Sequence, residues 1–171
     1  MPGPPREHGH AGTGSAHNST MWIDAVLAYA HLLAILSWVV FLSSTAALAR
    51  SEWLNAAVVT RLGVVDRIAW AAGWVVLASG LARWVWGAKG MAWTGAQPLL
   101  WAKLALVALM LLAGWRTRQQ IARWQARLAV DGALPPDDEV AALRRRVMRA
   151  SHLMLLLPLA GVLLARGLLT R

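Results

Sequence analysis

One histidine and three cations stand inside otherwise apolar stretches of this sequence: His31, Arg83, Lys103 and Arg166. Each can be given a depth by counting helical rise, ~1.5 Å per residue, from the nearest basic boundary residue. His31 is 19 residues from Arg50, roughly 28 Å, and Arg83 is 16 from Arg67, roughly 24 Å. Lys103 is 13 from Arg116, roughly 20 Å, and Arg166 is 17 from Arg149, roughly 26 Å. Four groups from four segments thus fall within a layer about 9 Å thick before tilt. An imidazole can ligate iron, and guanidinium and ammonium groups neutralise carboxylates. The set is therefore what a haem b would need: His31 for the iron, with Arg83, Lys103 and Arg166 for the propionates. The bland alternative is that each cation snorkels to lipid phosphates and the histidine bonds a neighbour. For any one cation that alternative is the commoner case. Their shared level is what raises a site.

His152 is the other histidine in an apolar neighbourhood, three residues from Arg149 and so only roughly 4.5 Å into its helix. That leaves it roughly 24 Å in depth from His31. Two axial nitrogens on one iron lie only about 4 Å apart, twice a ~2 Å metal–nitrogen bond. The two histidines cannot share an iron, so His152 would serve a second haem or, more commonly, act as an interfacial hydrogen-bonder. His8, His10 and His17 lie in the tail and offer a copper-binding alternative. Met110, Met148 and Met154 are scattered, which argues against a methionine-lined copper path. The chain has no cysteine, Walker loop, HExxH, GxSxG or carboxylate pair, so hydrolytic and thiolate chemistry are not expected. Asp24 and Asp66, the acids nearest the apolar runs, read as helix starts.

The composition says where such groups must be held. Of 171 residues, 58% are apolar and only 15% charged, against ~45–50% and ~25% in a soluble domain. The length suits one four-helix bundle. The net charge of +9 is mostly arginine clustered in one segment, which fits membrane orientation and not nucleic-acid binding. Eleven tryptophans, most near helix ends, fit membrane interfaces.

Residues 1–20 form a Pro/Gly/His-rich tail without apolar periodicity, expected to be flexible. Helices are expected at about 22–49, 67–86, 98–128 and 137–169, in one transmembrane domain over 21–171. The first run is too long for a signal peptide and lacks a basic flank, so it reads as retained. A mixed connector occupies 50–66. Polar extensions of helices three and four are expected around 116–149, broken by Gly132 and Pro135-Pro136, with Asp137, Asp138 and Glu139 favouring the next helix start. Pro158 should kink the fourth helix. Eleven arginines beside the first and third connectors, against six basic residues on the other side, put the third connector in the cytoplasm and both termini in the periplasm. The hairpin Gly80–Lys103, with Trp84, Trp86, Trp93 and Trp101 expected around Arg83 and Lys103, then forms the periplasmic mouth of the site. Ala28, Ala34, Ala69, Gly73, Gly80, Ala102, Ala105 and Ala108 could make room for a flat cofactor, but for most of them close helix packing is the expectation.

RLGVVD (Arg61–Asp66), GLARWVWGAKG (Gly80–Gly90), the P-x-x-W-x-K of Pro98, Trp101 and Lys103, and the closing Pro158 with Ala165–Gly167 resemble a bacterial membrane-protein family. It is the domain of unknown function 2214, over about residues 22–169. That family is distantly similar to CopD-type copper-resistance proteins and HemJ-type protoporphyrinogen oxidases. The latter resemblance implies a four-helix haem-b protein with a first-helix histidine and a third-helix lysine, where His31 and Lys103 stand. The closer family's acidic positions in the first and fourth helices fall here on SSTAAL and RASHLM, without a carboxylate.

The expectation is an all-α four-helix protein of the bacterial inner membrane, in contact with lipid. It would bind haem b near the periplasmic face for electron transfer or porphyrin-related redox chemistry, with quinone as a candidate partner. The tryptophan excess supports an alternative, a non-enzymatic accessory subunit of a larger respiratory or photosynthetic membrane complex. A third reading is periplasmic copper handling. No nucleic-acid partner is expected.

Overall fold

The computed structural model describes residues 13–86 and 91–166. Helix α1 spans Thr13–Leu48, followed by a 3-10 turn at Ser51–Trp53. Then come α2 (Ala56–Trp86), the short α3 (Met91–Gly95), α4 (Pro98–Asp131), α5 (Asp137–Met154) and α6 (Leu156–Ala165). Helix α1 packs along α2 and α5, and α4 packs against α2, α5 and α6. The result is the expected all-α bundle of four legs, the fourth being α5 continued by α6.

The core is a narrow seam because the buried positions recur at three- and four-residue steps. On α1 they include Ile35, Trp38, Leu42 and Thr45, and on α5 Val140, Leu143, Val147, Ala150 and Met154. The opposite faces are also apolar: Val26, Leu36, Val40, Trp74, Leu109 and Leu112 are all exposed. Apolar side chains inside and out are what lipid solvation permits. Among the described residues, three helices are long and apolar enough to cross a membrane: Met21–Leu48, Ala56–Trp86 and Pro98–Asp131. The protein is a multi-pass membrane protein.

Glycine is required where helices meet most closely. A Cβ on Gly73 would lie 2.9 Å from the Trp38 ring and 3.0 Å from Leu111 Cδ2, so this position seats α1 and α4 on α2.

Beyond the apolar zone, α4 and α5 are clamped through one carboxylate oxygen. Glu139 Oε2 accepts from Trp124 Nε1 at 2.6 Å, Arg127 Nη2 at 2.6 Å and Gln120 Nε2 at 2.7 Å. Gly132 at φ 66° closes α4 through its N–H to the Leu128 carbonyl, and Asp137, Asp138 and Glu139 fill the first turn of α5. Both follow the expected punctuation.

Several boundaries differ from those expected. Helix α2 begins at Ala56, so most of the stretch read as a connector is helix. Asn55 explains the early start: its side-chain oxygen caps the Val58 N–H at 3.0 Å. Asp66 consequently lies well inside α2, buried in the core, with its carboxylate 3.8 Å from Arg118. Helix α1 begins at Thr13, inside the segment read as tail, so Asp24 is not a helix start either. The fourth leg breaks at Leu155, whose N–H reaches back to His152 in a tighter turn. Pro158 is the reason: it has no N–H for the Met154 carbonyl, and its ring crowds that carbonyl. Ala34, Ala69 and Gly73 are interior, but Ala102, Ala105 and Ala108 lie on the exposed face of α4 and take no part in packing within the chain.

Candidate functional site

His31 lies on α1 against the far end of α2. The ring packs on Gly80, where a Cβ would stand 3.3 Å from His31 Cε1. Its Nδ1 is 2.8 Å from Ser79 Oγ. Ser79 has one hydroxyl proton, which it donates to the Val75 carbonyl at 2.6 Å, with the Val76 carbonyl at 3.3 Å. Its oxygen therefore accepts from His31, which puts the imidazole proton on Nδ1. A second-shell acceptor of this kind fixes both tautomer and ring orientation in histidines that ligate metals.

Two of the three expected cations lie on neighbouring helices, Lys103 half-buried near the start of α4 and Arg83 near the end of α2. Arg83 also faces a carboxylate, with Nε 3.9 Å from Asp24 Oδ1. Arg166 is exposed on the turn after α6, closed by its N–H to the Val162 carbonyl at 3.0 Å. Sequence reasoning missed Ser79 and Asp24. A lone hydroxyl in the apolar run VVLASGLA, and opposite charges near the same ends of two helices, were the signals for them.

Of the tryptophans expected around the cations, Trp84 and Trp101 organise the hairpin, and the side chain of Trp93 lies outside the described residues. Trp84 Nε1 donates to the Met91 carbonyl at 3.2 Å, and Trp101 Nε1 to the Gly95 carbonyl at 3.1 Å. The two indoles meet edge to face at 6.0 Å. Trp86 is exposed. Thus α3 is tied to both flanking helices by indole N–H groups.

His152 stands in another place. Its Nδ1 bonds the Met148 carbonyl at 2.7 Å, and it borders a groove of about 430 Å³ with Arg144, Arg145 and Arg149. A second groove of about 360 Å³ lies between α4 and α5, and a cavity of about 20 Å³, room for one water, touches Asp66, Thr45 and Thr117. His31 borders none of these three. It is half-buried, so a flat group would reach it from the outer surface of the bundle. Among the described residues no group of three or more His, Cys, Asp or Glu side chains could hold a metal ion. His8 and His10 lie outside the described residues, and of His17 only its place in α1 is described.

No curated protein and no solved structure matches the chain. A family model described as "Predicted membrane protein (DUF2214)" matches residues 23–168, which takes in every helix from the first apolar span to the end of α6. The chain therefore belongs to that family of membrane proteins, the domain of unknown function 2214.

Proposed function

We propose that this protein holds haem b through His31, with Lys103 and Arg83 beside the propionates, and serves membrane electron transfer or porphyrin-related redox chemistry. The observation that supports the reading is the His31–Ser79 hydrogen bond: with the proton on Nδ1, Nε2 is the nitrogen that would ligate the iron. The donor set fits the group: one neutral imidazole for the iron and two cations for two carboxylates. Bound haem would supply one-electron chemistry at an iron whose potential depends on its axial ligand. This chain's own contribution is orientation and charge. Ser79 and Gly80 hold the ring against α2, Lys103 offers an ammonium at the start of α4, and Arg83 would exchange Asp24 for a ligand carboxylate. Quinone is the membrane-soluble partner that such a site would serve. The arginine bias supports a position on the periplasmic side of a bacterial inner membrane.

The test is titration of the detergent-purified protein with haemin. A Soret shift saturating at one equivalent supports the reading, and absence of saturable binding refutes it.

A further inference from the structure

The surface of α5 carries a cluster of arginines whose role is independent of the haem reading. Arg144, Arg145, Arg146 and Arg149 crowd two turns of this helix, and among the described residues none has a carboxylate partner. The three ion pairs that are formed use Arg83, Arg118 and Arg127. Arg144 Nε is buried without any hydrogen-bond partner among the described residues. Arg145 and Arg149, one helical turn apart, repel each other unless an anion lies between them.

These arginines rim two grooves. The groove between α4 and α5 has Arg145, Arg146 and Arg149 at its edge, and its floor, including Leu109, Ala113 and Leu153, is apolar. Arg145 and Arg149 also border the adjoining groove, with His152. The arginines sit where α5 passes from polar to apolar sequence. Trp115, exposed on α4 two residues past Ala113, is a side chain suited to the membrane–water interface. A cationic rim at headgroup level over an apolar floor at acyl level has the charge and polarity of one kind of molecule.

We infer that the α4–α5 groove binds an anionic phospholipid, its phosphate held by Arg145 and Arg149 and an acyl chain lying along Leu109, Ala113 and Leu153. The phosphate is a diester, so recognition is by two guanidinium forks and not by a metal or a catalytic group.

The experiment is native mass spectrometry of the full chain released from detergent after incubation with cardiolipin, phosphatidylglycerol or phosphatidylcholine, alone and with inorganic phosphate. Anionic lipids are expected to be retained in preference to phosphatidylcholine. An Arg145→Gln/Arg149→Gln variant should lose affinity for them by about ten-fold or more. An Arg145→Lys/Arg149→Lys variant, which keeps the charge, should retain most of the preference and so show that the fold is intact. Equal retention of phosphatidylcholine, or undiminished binding by the glutamine variant, would overturn the inference. Displacement of the lipid by millimolar inorganic phosphate would also overturn it, assigning the arginines to a soluble phosphate instead.

Discussion

His31 Nδ1 and Ser79 Oγ lie 2.8 Å apart, and because Ser79 spends its proton on the Val75 carbonyl, the histidine is the donor. Removing that acceptor should act through the tautomer. Ser79→Ala leaves Nδ1–H with a poorer partner and frees the ring to rotate or shift its proton to Nε2. Haem affinity should fall by about ten- to a hundred-fold, the usual cost of losing such a second-shell partner, while helix content stays unchanged. Haemin titration with circular dichroism on the same samples measures both.

Asp24 competes with any incoming carboxylate for Arg83. The pair is long, at 3.9 Å, and both side chains are partly exposed, so its strength is at most ~1 kcal/mol. Asp24→Asn should therefore leave stability almost untouched and tighten haemin binding by about two- to five-fold. Weaker binding in this variant would mean that Arg83 acts only as the partner of Asp24.

Gly73 bears the tightest packing on α2. With a Cβ at 2.9 Å from the rigid Trp38 ring, Gly73→Ala must push α1 away, at a cost of about 1–3 kcal/mol. Unfolding in mixed micelles, followed by tryptophan emission, should show the loss. Gly73→Ala combined with Trp38→Phe, which removes the crowding edge, should recover part of it.

The Glu139 clamp gives the polar end of α4 and α5 a predictable acid sensitivity. Its hydrogen bonds from Arg127 and Trp124 hold the carboxyl below its ordinary value near 4.5. A depressed carboxylate contributes stability that is fully present above the unfolded value and is lost as pH falls through the folded one. Protease nicking of the α4–α5 connection should accordingly rise only at pH below about 4.5. Glu139→Ala should raise it at neutral pH, because the fully buried Trp124 N–H loses its acceptor at about 1–3 kcal/mol. Unchanged nicking in the variant would show that the clamp is not what closes this end.

What was legible in the sequence is what depends on periodicity and punctuation. Gly132, Pro135-Pro136 and Pro158 act on their own backbone, so the α4–α5 break and the interruption at Leu155 could be read directly. The start of α2 could not, because the cap at Asn55 outweighed the appearance of a mixed, charged connector. Counting rise puts His31, Arg83 and Lys103 at a common level, and at that level His31 meets Ser79 and Arg83 faces Asp24. The same count says nothing of azimuth or of the bend at Pro158, on which the place of Arg166 depends. Nor could spacing alone show that Ser79 faces His31 across two helices, or that Asp66 lies deep within α2. Side-chain partners depend on helix rotation, which a single amphipathic pattern defines poorly when both faces are apolar.

The most direct measurement is a reduced-minus-oxidised visible spectrum of the protein purified in mild detergent from haem-replete cells, beside a His31→Ala variant of equal helix content. A b-type spectrum in the wild type that disappears in the variant is the result predicted here. A colourless wild-type protein, or a spectrum that survives the loss of His31, would contradict the account.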